Sequence, residues 1–385
     1  VDGMRVEELQ PYLIKHYREL CESIRGGWYK PAPVRRVEIL QPIFEQAFSD
    51  SSYGFRPGRS AHQAIERAKG YYEEGNTYVV DLDLEKYFDT VNHDLLIKMV
   101  RETVKDEAVI GLIKKFLKSG VMAEGIVSQR ELGLKSAGTP QGGNLSPLLS
   151  NIYLTKFDKM LEERGHKFVR YADDCNIYVK SRRAAERVME GCVRFLEGKL
   201  KLKVNRKKSA VGSPLELKFL GFSLYRSKEG VRIRIHEKPL KRLMDRLKAL
   251  TSRKRGGKMG RILEELTQLL IGWLGYYSIA DLKAHVQRIS GWLKRRIRQM
   301  YWKRWKRART RYENLIQLGI PKDQAWPWAN TRKGYWHTAD TPILKRSLTN
   351  RYLESIGFPD VLKRFEMLHE RIGRILKIRA LIAAH

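Results

Sequence analysis

Residues 167–179 read KFVRYADDCNIYV, two adjacent carboxylates, Asp173 and Asp174, between two short runs of strand-forming residues. Phe168, Val169 and Tyr171 before them and Ile177, Tyr178 and Val179 after them favour strands, while Asp and Asn favour a tight turn, so the stretch predicts a β-hairpin with acid at its tip. Side chains alternate faces along a strand, so neighbouring carboxylates converge on one cation only at a turn. Two like charges that close call for a counter-cation, and Mg²⁺ suits carboxylate oxygens and a substrate's phosphates. An isolated Asp-Asp is more often a solvated turn, so the reading depends on the rest of the chain.

Upstream, residues 78–94 read YVVDLDLEKYFDTVNHD. Val80, Leu82 and Leu84 fall on one face of a strand and Asp81 and Asp83 on the other, leaving both acids open as ligands. Asp83 followed at five residues by Phe88, with Tyr-Ala-Asp-Asp downstream, resembles motifs A and C of reverse transcriptases. The resemblance selects Asp83 over Asp81. It implies that Asp83, Asp173 and Asp174 are catalytic and hold two Mg²⁺ ions together with Leu84, and that Phe88 lies under the sugar of the incoming dNTP. Such ions stabilise both the attacking and the leaving oxygen of a phosphoryl transfer.

Between these strands, residues 138–152 read GTPQGGNLSPLLSNI. The glycines permit backbone that other residues avoid and close approach to a ligand, and Asn144 or Ser146 can cap the following helix. The stretch resembles motif B, whose loop underlies the nascent pair, and so implicates Pro140, Gln141 and Gly142 in dNTP binding. Residues 202–209, LKVNRKKS, resemble motif D, with Lys208 near the leaving pyrophosphate. Residues 217–224, LKFLGFSL, resemble motif E, the primer grip, at Leu220 and Gly221.

WYKPAPVRRVEI (28–39) and SYGFRPGRS (52–60) are similar to the start of reverse transcriptases encoded by group II introns, the maturases. In that family a Pro/Gly-rich hairpin that supplies triphosphate-binding Lys and Arg follows VEI, whereas here Ile39 runs straight into Leu40. Arg35, Arg36, Arg56 and Arg59 remain as nearby cations. Residues 6–25 predict a helix, and the chain opens Val-Asp-Gly without methionine, so processing or missing residues are expected there.

The 385 residues carry 75 Lys and Arg against 43 Asp and Glu, a net charge of +32, yet 42% are hydrophobic. Length and composition allow two or three folded domains. A charge that high favours a polyanionic partner, RNA or DNA. Cys21, Cys175 and Cys192 show no CxxC spacing, so neither a disulfide framework nor a zinc site is expected, in keeping with a reducing cytosol. No apolar run reaches membrane-spanning length and no signal peptide opens the chain.

Beyond about residue 230 the pattern turns helical and basic, with helices predicted at 238–250, 261–277 and 282–312. In the second, Leu269, Leu270, Ile271, Trp273, Leu274 and Tyr277 read as bundle core first, and then as resembling the maturase X or thumb domain. In the third, Trp292, Leu293, Ile297, Met300 and Tyr301 form an apolar stripe amid Lys and Arg. Trp302 and Trp305, interleaved with that charge, point to a phosphate-tracking surface. ANTRKGYWHTADTP (329–342) is similar to the C-terminal DNA-binding segment of maturases from bacterial C-type introns, which lack an endonuclease module, and 376–385 reads as a frayed tail. Expected nucleic-acid contacts are Arg56, Arg59, Arg295, Arg298, Arg304, Arg307, Arg309, Arg311, Arg332 and Lys333.

The expectation is an α+β right-hand polymerase fold. It comprises an N-terminal extension and fingers (1–76), a palm with interleaved fingers elements (77–230), an all-α thumb (231–306) and a small helical C-terminal segment (307–385). The expected activity is RNA-directed DNA synthesis with two Mg²⁺ ions in the bacterial cytosol or nucleoid. Expected partners are group II intron RNA, DNA target and primer, and dNTPs, with splicing and retrohoming as the roles. The alternatives are a splicing cofactor with an idle polymerase site and a reverse transcriptase recruited to CRISPR spacer acquisition.

Overall fold

The computed structural model describes residues 36–118, 121–123, 126–128, 138–139 and 143–384. The helix expected at 6–25, Arg35, and the dNTP-binding candidates Pro140, Gln141 and Gly142 lie outside them.

In chain order the elements are α1 (Arg36–Glu45), α2 (Ala61–Glu73), β1 (Tyr78–Leu82), α3 (Tyr87–Thr90), α4 (His93–Thr103), α5 (Glu107–Lys118), β2 (Val121–Ala123), β3 (Ile126–Ser128), α6 (Ser146–Glu163), β4 (Lys167–Tyr171), β5 (Asp174–Val179), α7 (Arg182–Gly198), β6 (Ala210–Gly212), β7 (Phe222–Ser227) and β8 (Gly230–Ile235). Helices follow: α8 (Glu237–Leu250), α9 (Met259–Tyr277), α10 (Lys283–Arg304), α11 (Ala308–Gln317), α12 (Lys322–Ala329), α13 (Tyr335–Thr338), α14 (Pro342–Ser347), α15 (Asn350–Ser355) and α16 (Val361–Ala384). The junction of Ile39 with Leu40 falls inside α1.

The chain divides into two compact units, each discontinuous in sequence. The first holds residues up to Asp50, Leu84–Met160 and Phe195–Lys203. Its helical stretch after residue 93 is broken where the side chain of Asp106 takes the N–H of Ala108 at 2.7 Å and so caps α5. At the start of α4 the side chain of Asn92 accepts from Leu95 N, and Leu96, Ile97, Met99 and Val100 turn inward. Tyr87 is buried, and its hydroxyl donates to Ser150 O at 3.0 Å.

The second unit, Ser51–Asp83, Leu161–Arg194 and Val204–His385, is built on an antiparallel sheet of order β4-β5-β1-β6. Val79, Val169 and Tyr178 join one continuous core with Ala64, Ile65 and Ala68 of α2, the β7–β8 hairpin and the inner faces of α8, α9 and α10. Leu293, Ile297 and Met300 are buried there, as their spacing predicts.

The third basic helix stops at Arg304 rather than running to 312, and the reason is a second core. Trp302 and Trp305 are buried with Leu315, Ile320, Ile343, Leu344 and Leu348. The chain must turn after Trp305 to bring Leu315 back over them, and burying one large aromatic contributes about 1.5–3 kcal/mol. The two tryptophans are therefore packing residues and not the stacking surface that their basic neighbours implied. The expected frayed end is helical through Ala384, and Phe358, Val361 and Phe365 rejoin the main core.

Candidate functional site

Tyr171 pairs with Asp174 across a two-residue turn, so Ala172 and Asp173 form the tip of the β4–β5 hairpin. Ala172 takes a left-handed φ of 58°, a conformation that must be held by its surroundings. Three contacts hold it. Arg170, almost fully buried, donates from Nη1 to Ala172 O at 2.8 Å. Its backbone is tied to the 51–53 segment, with Arg170 N–H on Ser51 O at 2.9 Å and Tyr53 N–H on Arg170 O at 2.8 Å. Gly54 then lies so close that a Cβ there would be 2.3 Å from Ala172 N and 2.9 Å from the Tyr171 carbonyl carbon. The SYGFRPG stretch thus backs the acidic tip, a role no local pattern signals.

Register brings the acids together. Asp81 pairs with Asn176 and Leu82 with Cys175, so the next step of the ladder sets Asp83 alongside Asp174. Leu82 and Cys175 turn to one face of the sheet, which leaves Asp81, Asp83 and Asp174 sharing the other. Burial, then the charges of Asp81 and Asp173, push the Asp174 carboxyl up to about 7. Burial also raises Asp173, aided by Asp83, and lifts Asp81 to about 6 against the opposing charge of Lys218. Asp81 is the acid that motif spacing passed over, and it belongs electrostatically to the same group.

Asp83 is gripped by the turn after it in space. Its N–H donates to Ser209 Oγ at 3.0 Å, its carbonyl accepts Asn205 N–H at 2.8 Å, and Lys208 Nζ lies 3.7 Å from Oδ1. Lys208, the motif D lysine, thus lies beside one of the acids, while Ser209 went unnoticed because a serine after a lysine run carries no signal of its own.

The donor set is all carboxylate oxygen, with desolvation and mutual repulsion raising the cost of its charged state, which fits a hard divalent cation. Among the described residues, no three acidic, His or Cys side chains converge closely enough as they stand to ligate one ion. Leu84 and Phe88 fall in the first unit: the Leu84 side chain is buried, and Phe88 is half-buried, edge-on to Tyr87 at 5.4 Å, with its carbonyl accepting Thr139 N–H.

At the motif E turn, Leu220 and Gly221 both take positive φ, 52° and 85°, between reciprocal 2.9 Å bonds of Phe219 and Phe222. Tyr276 Oη donates to Leu220 O at 2.9 Å, and a Cβ on Gly221 would sit 2.8 Å from Tyr277 Oη. Tyr277 is wedged against Phe222 and Trp273, so its ring has little room to move. Gly221→Ala is expected to cost about 1–3 kcal/mol, read as a lowered thermal midpoint. An unchanged midpoint would mean the turn relaxes freely.

The expected nucleic-acid contacts divide. Arg56 is buried with Nη1 on Ser52 O, and Arg298 is buried with Nε on Leu348 O at 3.0 Å, its pKa lowered chiefly by desolvation. Both bind backbone inside the fold, a correction to their reading as surface contacts. Arg59 lies over Tyr53, Arg295 stacks on Trp336, and Arg304 donates to Gly257 O. Arg309 pairs with Glu313, and Arg311 covers Trp302. Arg307, Arg332 and Lys333 are exposed.

Residues 31–224, half of the chain, match the reverse transcriptase (RNA-dependent DNA polymerase) family, and residues 240–319 match the group II intron maturase-specific domain. Protein YkfC of Escherichia coli is 33% identical over 55% of this chain and 71% of its own length. Group II intron-encoded protein LtrA of Lactococcus lactis is 34% identical over 40% of this chain and 29% of its own. Among solved structures, apo telomerase from Candida tropicalis aligns over 92% of this chain and 65% of that one at 14% identity, with a TM-score of 0.45. With the polymerase family covering the acidic hairpin and the maturase domain covering the basic helices, the chain belongs to the reverse transcriptase/maturase family of group II introns.

Proposed function

We propose that the chain is an RNA-directed DNA polymerase that binds its parent group II intron RNA, assists its splicing and supports retrohoming by target-primed reverse transcription. The carrying observation is the shared face of Asp83 and Asp174 with Asp173 at the adjoining tip, and Lys208 beside them. Asp83, Asp173 and Asp174 would hold two Mg²⁺ ions, which when bound supply Lewis-acid stabilisation of the attacking and leaving oxygens. The chain's own part is positional. The 205–209 turn fixes Asp83 through both of its backbone polar groups, and Gly54 and Arg170 fix the height of the tip. Lys208, 3.7 Å from Asp83 Oδ1, would protonate or neutralise the leaving pyrophosphate. Primer extension on an RNA template tests the reading, and a chain that binds RNA but makes no cDNA would reduce it to a splicing cofactor.

Phe88 is proposed to exclude a ribose 2′-hydroxyl. Half-buried, it contributes less to the core than its neighbour Tyr87. Phe88→Ala is expected to lower the preference for dNTP over rNTP about tenfold or more while stability changes little. Loss of stability with selectivity intact would assign the ring to packing instead.

With a net charge of +32, RNA affinity is expected to fall log-linearly with salt. The slope is about −0.9 per phosphate contacted in duplex and about −0.7 in single strands. Binding measured between 50 and 200 mM salt checks this, and a flat dependence would leave the charge without a role in binding.

A further inference from the structure

The turn between α8 and α9, the middle of α10 and the short α13 line an open cavity of about 500 Å³. That volume lies within the roughly 300–1,000 Å³ of sites that take small ligands. Two indoles line it, those of Trp292 and Trp336, and each is backed by a guanidinium. Arg295 sits 3.9 Å from the Trp336 ring centroid, and Arg296 lies 5.5 Å from that of Trp292.

Both backing arginines are committed to the fold. Arg295 donates to Trp336 O and pairs with Asp340, while Arg296 donates to Thr251 Oγ1 and O and to Lys248 O. They therefore fix the indoles and are not the groups left for a ligand. Trp336 nevertheless keeps 38% of its surface exposed.

The remaining cations of the lining differ in kind. Lys248 pairs with Asp245. Arg253 and Lys254 have side chains with no ion-pair or hydrogen-bond partner among the described residues, and no Asp or Glu lines the cavity. A second basic cleft of about 260 Å³ continues from Arg253 toward Lys303, Arg304 and Lys306, again with no acidic lining residue. The turn that joins the two is held in shape, for Lys303 donates to Arg253 O and Arg304 to Gly257 O.

Rigid aromatic faces beside unpaired cations match the chemistry of a nucleotide whose base has left the stack. The base's π-face needs an aromatic partner and its flanking phosphates need charge. A paired duplex offers phosphate to such a surface but no base face. We propose that this cavity takes one unpaired nucleotide of a bound RNA, with its base against Trp336 and Trp292, its phosphates on Arg253 and Lys254, and the adjoining strand following the second cleft. The site deepens the reading of the chain as an RNA-binding maturase and rests on it for the choice of RNA.

The test uses the full chain and two RNA hairpins, one with a single unpaired 2-aminopurine nucleotide and one fully paired but otherwise identical. The wild type is expected to bind the bulged hairpin about tenfold more tightly and to quench its 2-aminopurine by stacking. Trp336→Ala is expected to abolish that preference and the quenching while the paired hairpin still binds. Trp336→Phe is expected to keep both in large part. Arg253→Ala with Lys254→Ala is expected to flatten the salt dependence for the bulged hairpin.

Equal affinity of the wild type for the two hairpins would overturn the proposal, as would a uniform loss on both in Trp336→Ala with an unaltered melting profile. A bulged DNA hairpin bound as tightly as the RNA would overturn the assignment to RNA. Should Trp336→Ala fail to fold, the Phe variant and the Arg253/Lys254 pair decide. Primer extension by the wild type is measured separately, and its absence would remove the polymerase reading while leaving the hairpin pair to judge the cavity.

Discussion

Asp83→Ala and Asp173→Ala are each expected to lower primer extension by about 10³-fold or more, some 4 kcal/mol of transition-state stabilisation, with RNA affinity unchanged. The size follows from the placement of these acids. Asp83 comes from the end of β1 and Asp173 from the hairpin tip, so each approaches the site from a different strand end. Asp81, the nearest alternative, is held mid-strand opposite Asn176. Alanine also relieves repulsion among buried like charges, so the folded chain should not suffer. Asp83 raises the carboxyls of Asp81, Asp173 and Asp174. Activity lost with stability retained or improved is the signature of a functional acid. Extension matched to a binding curve reads it, and near-wild-type cDNA yield from either variant would remove that residue from the site.

Gly54→Ala is expected to be nearly as damaging, although it touches no carboxylate. The added methyl would meet backbone atoms of residues 172 and 171 at 2.3 and 2.9 Å, closer than carbon tolerates, and backbone cannot swing aside as a side-chain end can. The tip must lift, and a displacement near 1 Å at reacting groups can cost about 10²-fold in rate. Arg170 would be strained with it, since its guanidinium and its backbone both hold the same turn. The control is Gly70→Ala in α2, where nothing lies within 4 Å and alanine is the better helix former by about 0.5–1 kcal/mol. Equal activity of the two variants would show that the close approach at Gly54 does not set the tip.

The acidic hairpin was legible because strand alternation and a two-residue acidic turn leave one reading of residues 167–179, and the ladder follows it pair by pair. Asp83 was legible through its spacing to Phe88 rather than through alternation, which treated Asp81 and Asp83 alike; that same spacing passed over Asp81, which shares their field. The inner face of α10 followed its period, but period alone does not say which core a residue enters. Trp302 and Trp305 sit amid Lys and Arg and looked like surface, yet they fill a second core whose other half lies in residues 315–348. The end of α10 carries no Gly or Pro within it, only the demand that Leu315 return to those rings. Arg298 gave no local sign that it would be buried on Leu348 O. Gly54 was visible as a glycine in a loop, but the backbone it admits comes from a strand more than a hundred residues away.

That the acidic face is a metal-dependent polymerase site is tested most directly by cDNA synthesis by the unmodified chain on an RNA template. It is measured over a Mg²⁺ titration and in EDTA, with RNA binding followed in the same samples. The expected result is extension that appears only with the divalent ion and rises to a plateau while RNA stays bound throughout. Extension persisting in EDTA, or RNA binding with no extension at any Mg²⁺ concentration, would contradict the account.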